Sequence, residues 1–128
     1  MTVNVFVDIN FYHIECQRAA DNLKDTRAHE PELLKGMREE NWNPVFIIRL
    51  TGHIFRVEEK LEEYRQLILD FHEATGNTSF WQSMAKQVEE TTDFYNMARY
   101  HIQRAHAMRE ESIAVHLSNN KDLQYGSS

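Results

Sequence analysis

Two stretches of the chain carry apolar residues at alternating steps of three and four. Ile47, Leu50, Ile54, Val57, Leu61, Tyr64, Ile68 and Phe71 form the first. Trp81, Met84, Val88, Thr91, Tyr95, Ala98, Ile102 and Ala105 form the second, widened by Phe80, Phe94, Met97 and Met108. This spacing keeps one face of a helix apolar and is a heptad seam. Asn43-Pro44 reads as an N-cap followed by proline at the first helical position, where the missing N–H costs nothing. Gly76-Asn77 reads as a helix stop, because glycine takes the left-handed conformation without penalty, and Ser79 with Gln82 has capping-box spacing for a restart. The pattern therefore predicts helices over 44–75 and 79–117, each ~45 Å or more long at 1.5 Å per residue. A short loop between them makes an antiparallel hairpin.

The first 42 residues are less regular. Val3, Val5, Val7 and Ile9 alternate with Thr2, Asn4, Phe6 and Asp8 in the manner of a strand, but the one comparable alternation is Ile113, Val115, Leu117. Residues 10–25 read as a helix through Phe11, Ile14, Ala19, Ala20 and Leu23, and Pro31 opens a shorter one through Leu33, Leu34 and Met37 that ends near Trp42. The expected architecture is all-α: a long antiparallel helical hairpin with shorter N-terminal helices packed on it as a bundle. It forms a single helical domain over 1–118, followed by a polar, flexible tail at 119–128.

Composition narrows the classes of function. At 128 residues with 41% hydrophobic and 11% aromatic positions, the chain is too apolar for disorder and long enough for one core. The longest uninterrupted apolar run is Val45-Phe46-Ile47-Ile48, far short of the ~20 residues of a membrane helix, and no signal-peptide pattern opens the chain. Cys16 is the single cysteine, which excludes an internal disulfide and a cysteine-based zinc site and fits a reducing compartment, so a cytoplasmic location is expected. The net charge of -6 argues against a general nucleic-acid binder.

That charge is local. From Glu58 to Asp93 there are nine acids and three bases, which together hold all of the net charge. Glu58, Glu59, Glu62, Glu63, Glu89, Glu90 and Asp93 are candidates for an acidic surface facing a divalent cation or a basic partner, against the plainer reading of a solvated helix face. At the other end Arg49, Arg56, Arg99, Arg104 and Arg109 join His53, His101 and His106. If the turn centres on Gly76-Asn77, facing residue numbers sum to about 154, which sets His53 opposite His101. A metal site would need further ligands beyond His53, His101 and His106, and no Glu-x-x-His or His-Glu-x-x-His pair occurs. The expectation is that these histidines are structural and that no cofactor is bound. Arg99 and His106 have the arginine–six residues–histidine spacing of HEPN ribonucleases, a spacing that Arg109 and His116 also share.

From about Asn43 to Asp122, roughly three-fifths of the chain, the layout resembles the helical hairpin and stalk-helix region of fungal CorA-like metal-ion transporters. The resemblance rests on His53-Ile54-Phe55-Arg56-Val57-Glu58-Glu59-Lys60-Leu61, on Phe94-Tyr95-Asn96-Met97 and on Arg109-Glu110-Glu111-Ser112-Ile113-Ala114. The membrane helices and Gly-Met-Asn loop of that family do not follow, so the resemblance implies a detached cytoplasmic helical module, oligomeric and cation-responsive, and not a transporter. The favoured function is a non-enzymatic interaction or regulatory module acting through self-association, as a homodimer, or through a protein partner. The alternative is a small metal-dependent or HEPN-like hydrolase using His53, His101, His106 and Arg99.

Overall fold

A computed structural model describes residues 2–126, with side chains from Ile9 to Asn119. Four helices follow one another: α1 (Thr2–Arg27), α2 (Glu30–Arg38), α3 (Pro44–Thr75) and α4 (Trp81–Gly126). The all-α expectation holds, and among the described residues there is no strand. The strand-like start is corrected: residues 2–9 are the first turns of α1. Alternating valines make a strand only beside a partner strand. The other alternating segment, Ile113–Leu117, is itself inside α4. Of the tail expected over 119–128, the backbone through Gly126 belongs to α4 and the remainder lies outside the described residues.

The limits of α3 follow from its caps. Asn43 Oδ1 accepts the Val45 N–H at 2.8 Å with Pro44 in the first turn. Gly76, at φ 72°, donates its N–H to the His72 carbonyl at the other end. The turn then differs in detail from the capping box expected at Ser79. Asn77 Oδ1 takes the Ser79 N–H at 2.8 Å, and α4 begins two residues later at Trp81. α2 ends in a Schellman arrangement, with Asn41 N–H on the Gly36 carbonyl and Glu40 N–H on the Met37 carbonyl. That motif puts Glu40 at φ 53°, a left-handed position where glycine is the unstrained residue. Glu40→Gly is expected to raise stability by about 0.5–1 kcal/mol, read as a higher midpoint in urea unfolding with an unchanged slope.

α1 and α4 both lie antiparallel to α3. Tyr12 stacks on Phe71 on one side, and Phe71 and Tyr64 meet Phe80 on the other. α2 continues the line of α1 toward the open end, and Gly36 lets it approach so closely that an added Cβ would overlap the Phe46 ring. Two apolar clusters result. Cys16, Leu23, Tyr64, Ile68 and Phe71 lead the one near the turn, and Leu33, Met37, Leu50, Phe94 and Ala98 the one near the open end. All eight seam positions of α3 are buried or half-buried. On α4 the buried residues are Gln87, Thr91, Phe94, Ala98 and His101, with Phe80 buried just before the helix; Gln87, Phe94 and His101 lie one residue around from Val88, Tyr95 and Ile102.

Candidate functional site

Between the two apolar clusters runs a layer of buried polar groups. Arg27, the last residue of α1, and Glu30, the first of α2, are joined across the elbow at 2.9 Å. The same guanidinium donates to Gln87 Oε1 at 2.6 Å and Glu90 Oε2 at 2.9 Å on α4. The second oxygen of Glu30 accepts from His53 Nε2 on α3 at 2.9 Å, which fixes the tautomer of a ring only 1% exposed. One cluster of charges therefore ties all four helices together. Burial pushes the Glu30 carboxyl up, but hydrogen bonds from His53 and Arg27 outweigh it and hold the group below the usual carboxylate range. Burial alone would lower the Arg27 pKa, and its bonds to Glu30 and Glu90 raise it instead. None of Arg27, Glu30 or Gln87 was singled out by sequence reasoning. Periodicity does not mark a polar side chain as buried, and the one visible signal was the Glu30-Pro31 helix start.

The expected pairing of His53 with His101 does not occur. His53 with Phe94, Phe46 with His101 and Tyr64 with Ser83 each sum to 147, so the register lies one heptad from the expected 154. His101 donates Nε2–H to the Asn41 carbonyl at 2.9 Å, stacks on Trp42 at 4.4 Å and lies perpendicular to the Phe46 ring. His106 and Arg99 are exposed on α4, two turns apart on nearly the same face. Among the described residues no group of three or more His, Cys, Asp or Glu side chains is placed to hold a metal ion. Cys16 is fully buried, and burial, with Asp70 and Glu15 nearby, pushes its thiol up to about 11, so it is protonated and unreactive at neutral pH.

The acidic residues fall as follows. Glu58, Glu59, Glu62, Glu63, Glu89 and Asp93 are exposed, whereas Glu90 is half-buried against Arg27. Arg65 binds Glu62 through two nitrogens at 2.8 and 2.9 Å, and Lys60 approaches Glu63 at 3.4 Å. Glu62 and Glu63 are thus compensated within their own helix.

A cavity of about 390 Å³ lies over the polar layer, against Arg27, Glu30, Gln87 and Glu90, and further relief is at the open end. Trp42 lines two cavities there. One, about 540 Å³, is bounded by Pro44, Ile47 and Ile48 of α3 and by Ala105, His106, Met108 and Arg109 of α4. The other, about 270 Å³, is bounded by Met37, Arg38, Glu40, Met97, Tyr100, His101 and Arg104. Beyond them α4 continues alone. At the register that pairs Phe46 with His101, residues after Gln103 have no opposite number on α3, and every residue from 109 to 119 is exposed. Ile113, Val115 and Leu117 in this arm are 50–56% exposed.

Comparison with protein-family models, with curated proteins and with solved structures found no match to this chain. The resemblance to fungal CorA-like transporters accordingly rests on the quoted residues alone. No helix among the described residues is long and apolar enough to cross a membrane.

Proposed function

We propose that this chain is a non-enzymatic helical interaction module whose own act is self-association through the α4 arm. The carrying observation is the arm itself, a helix that continues past the bundle with Ile113, Val115 and Leu117 in water. Helices of this length are marginal in water without an apolar face to pack, so the arm calls for a partner surface. The apolar cavity of Ile47, Ile48, Ala105 and Met108 opens at its root. Two copies related by a twofold axis across the arm, with their α4 helices antiparallel, would each lay an arm toward the other's cavity. Such an isologous arrangement closes as a dimer. The hydrolase alternative is supported less well, because His53 and His101 sit in separate buried contacts and Arg99 and His106 lie on exposed turns.

Sedimentation across micromolar concentrations tests the proposal. The wild-type chain is expected to run as a dimer, and Ile113→Glu with Leu117→Glu as a monomer whose four-helix bundle stays folded, since neither side chain is packed in the bundle. Burying two such side chains is worth roughly 1.5–3 kcal/mol each per copy, so the variant should weaken the dimer at least a hundredfold. A wild-type monomer at all concentrations, or a double variant that dimerises like wild type, would overturn it.

A further inference from the structure

Arginine is used differently at the two ends of the bundle. In the acidic half Arg27, Lys60, Arg65 and Lys86 each have a carboxylate partner. At the open end Arg38, Arg49, Arg99, Arg104 and Arg109 have none among the described residues. Their side chains are exposed, and the acids next to them in sequence are Glu39 and Glu40 beside Arg38 and Glu110 and Glu111 beside Arg109, none of them in an ion pair with these arginines. Two of them, Arg38 and Arg104, line the smaller cavity with Trp42, Tyr100, Met37 and Met97. Tyr100 is 70% and Met97 46% exposed, although both are large apolar or amphipathic side chains. Glu40, held in its left-handed conformation, is the single carboxylate in that wall.

Aromatic, methionine and arginine side chains around one depression are the composition of an interface centre, in which an apolar anchor fills the pocket and charge at its rim selects the partner. Guanidinium groups, with their planar fork, are matched by carboxylates or phosphates. The apolar part of the lining, Met37, Met97 and Tyr100, decides between these. A strand of phosphates needs a basic track and stacking faces, and one face of Trp42 is already taken by His101 at 4.4 Å. We propose that the cavity between α2 and α4 receives an acidic amphipathic helix of a partner protein, its bulky apolar anchor against Met37, Met97 and Tyr100 and its flanking carboxylates on Arg38 and Arg104. This surface adjoins the cavity assigned to the arm of a second copy, with Trp42 lining both, and differs from it in Arg38, Met97, Tyr100 and Arg104.

The test uses the full chain with Trp81→Phe, which leaves Trp42 as the one indole reporter because the chain has two tryptophans. The probe is a synthetic amphipathic helix with leucine and phenylalanine on one face and glutamate on the other. A lysine counterpart and an oligodeoxythymidylate serve as comparisons. Binding of the glutamate peptide is expected to shift Trp42 emission and to weaken at least tenfold between low and high salt. It should also weaken at least tenfold in Arg38→Ala with Arg104→Ala, and recover partly in the corresponding lysine variants. Both arginines are exposed, so the fold and the sedimentation behaviour of the double variant should match the parent, which separates this site from the arm. Equal binding of the lysine peptide, undiminished binding by the double alanine variant, or no response of Trp42 to the glutamate peptide would overturn the proposal. Tighter binding of the oligonucleotide than of the glutamate peptide would also overturn it and assign the arginines to phosphate.

Discussion

Glu30→Ala is expected to destabilise the protein by about 3–5 kcal/mol, the cost of leaving a buried charge without its partner. Glu30 is 6% exposed and is the shared acceptor of Arg27 and His53, so its removal leaves an almost buried guanidinium bonded only to α4, and an imidazole N–H facing no acceptor. A domain of this kind has roughly 5–15 kcal/mol in total, so the variant should lose more than about 10 °C of Tm in a thermal scan. A loss under about 1 kcal/mol would show that the layer is solvated and replaceable. Replacing the whole layer by apolar residues of matched volume is a different experiment, because it removes the desolvation cost along with the partners.

The same residue gives the stability a defined acid limb. Its carboxyl is held below the ordinary range in the folded chain, so in the interval between the folded and unfolded values the unfolded chain binds more protons. The contribution is therefore complete above the ordinary carboxylate value and fades as pH falls through the lower folded one. Glu30→Gln should flatten that part of the profile while lowering the plateau. An unchanged acid limb in Glu30→Gln would assign the acid transition to other carboxylates.

Much of the fold was legible because the chain marks its own boundaries. Asn43-Pro44 and Gly76 bracket α3 at the predicted residues, since a cap and a left-handed glycine are local devices that need no tertiary information. The α4 face was legible only in part. Ala98 and Thr91 lie on the buried face as expected, but Gln87 and His101 are buried too, through Arg27 and through Asn41 and Trp42. A hydrophobicity pattern reads both as surface residues. The pairing of His53 with His101 failed for a related reason. Counting from the midpoint of the turn ignores the packing of Phe80 against Phe71 and Tyr64, and the register observed further along the hairpin sets His53 against Phe94. The polar layer itself depends on residues 23–63 positions apart, for which sequence spacing carries no signal.

Phe71→Ala is expected to be as costly as loss of Glu30, about 3–5 kcal/mol, but by the opposite chemistry. Phe71 is 1% exposed, stacks on Tyr12 of α1 with centroids 6.2 Å apart and lies 6.2 Å from Phe80, the residue before α4. It is thus the point near the turn at which α1, α3 and the segment leading into α4 meet at one side chain. Removing the ring leaves a void that the surrounding helices fill only in part, and the loss comprises both transferred apolar surface and forfeited contacts. Because no charge is uncovered, the penalty should be the same at neutral and mildly acid pH, whereas that of Glu30→Ala should shrink as the wild-type carboxylate becomes protonated. The two clusters are separated by the polar layer, so the variant's hydrogen exchange should accelerate first in α1 and in α3 near the turn, with the open end of α3 and α4 retaining protection longer. Uniform acceleration along α3 and α4 would instead show that the polar layer couples the two clusters into one cooperative unit.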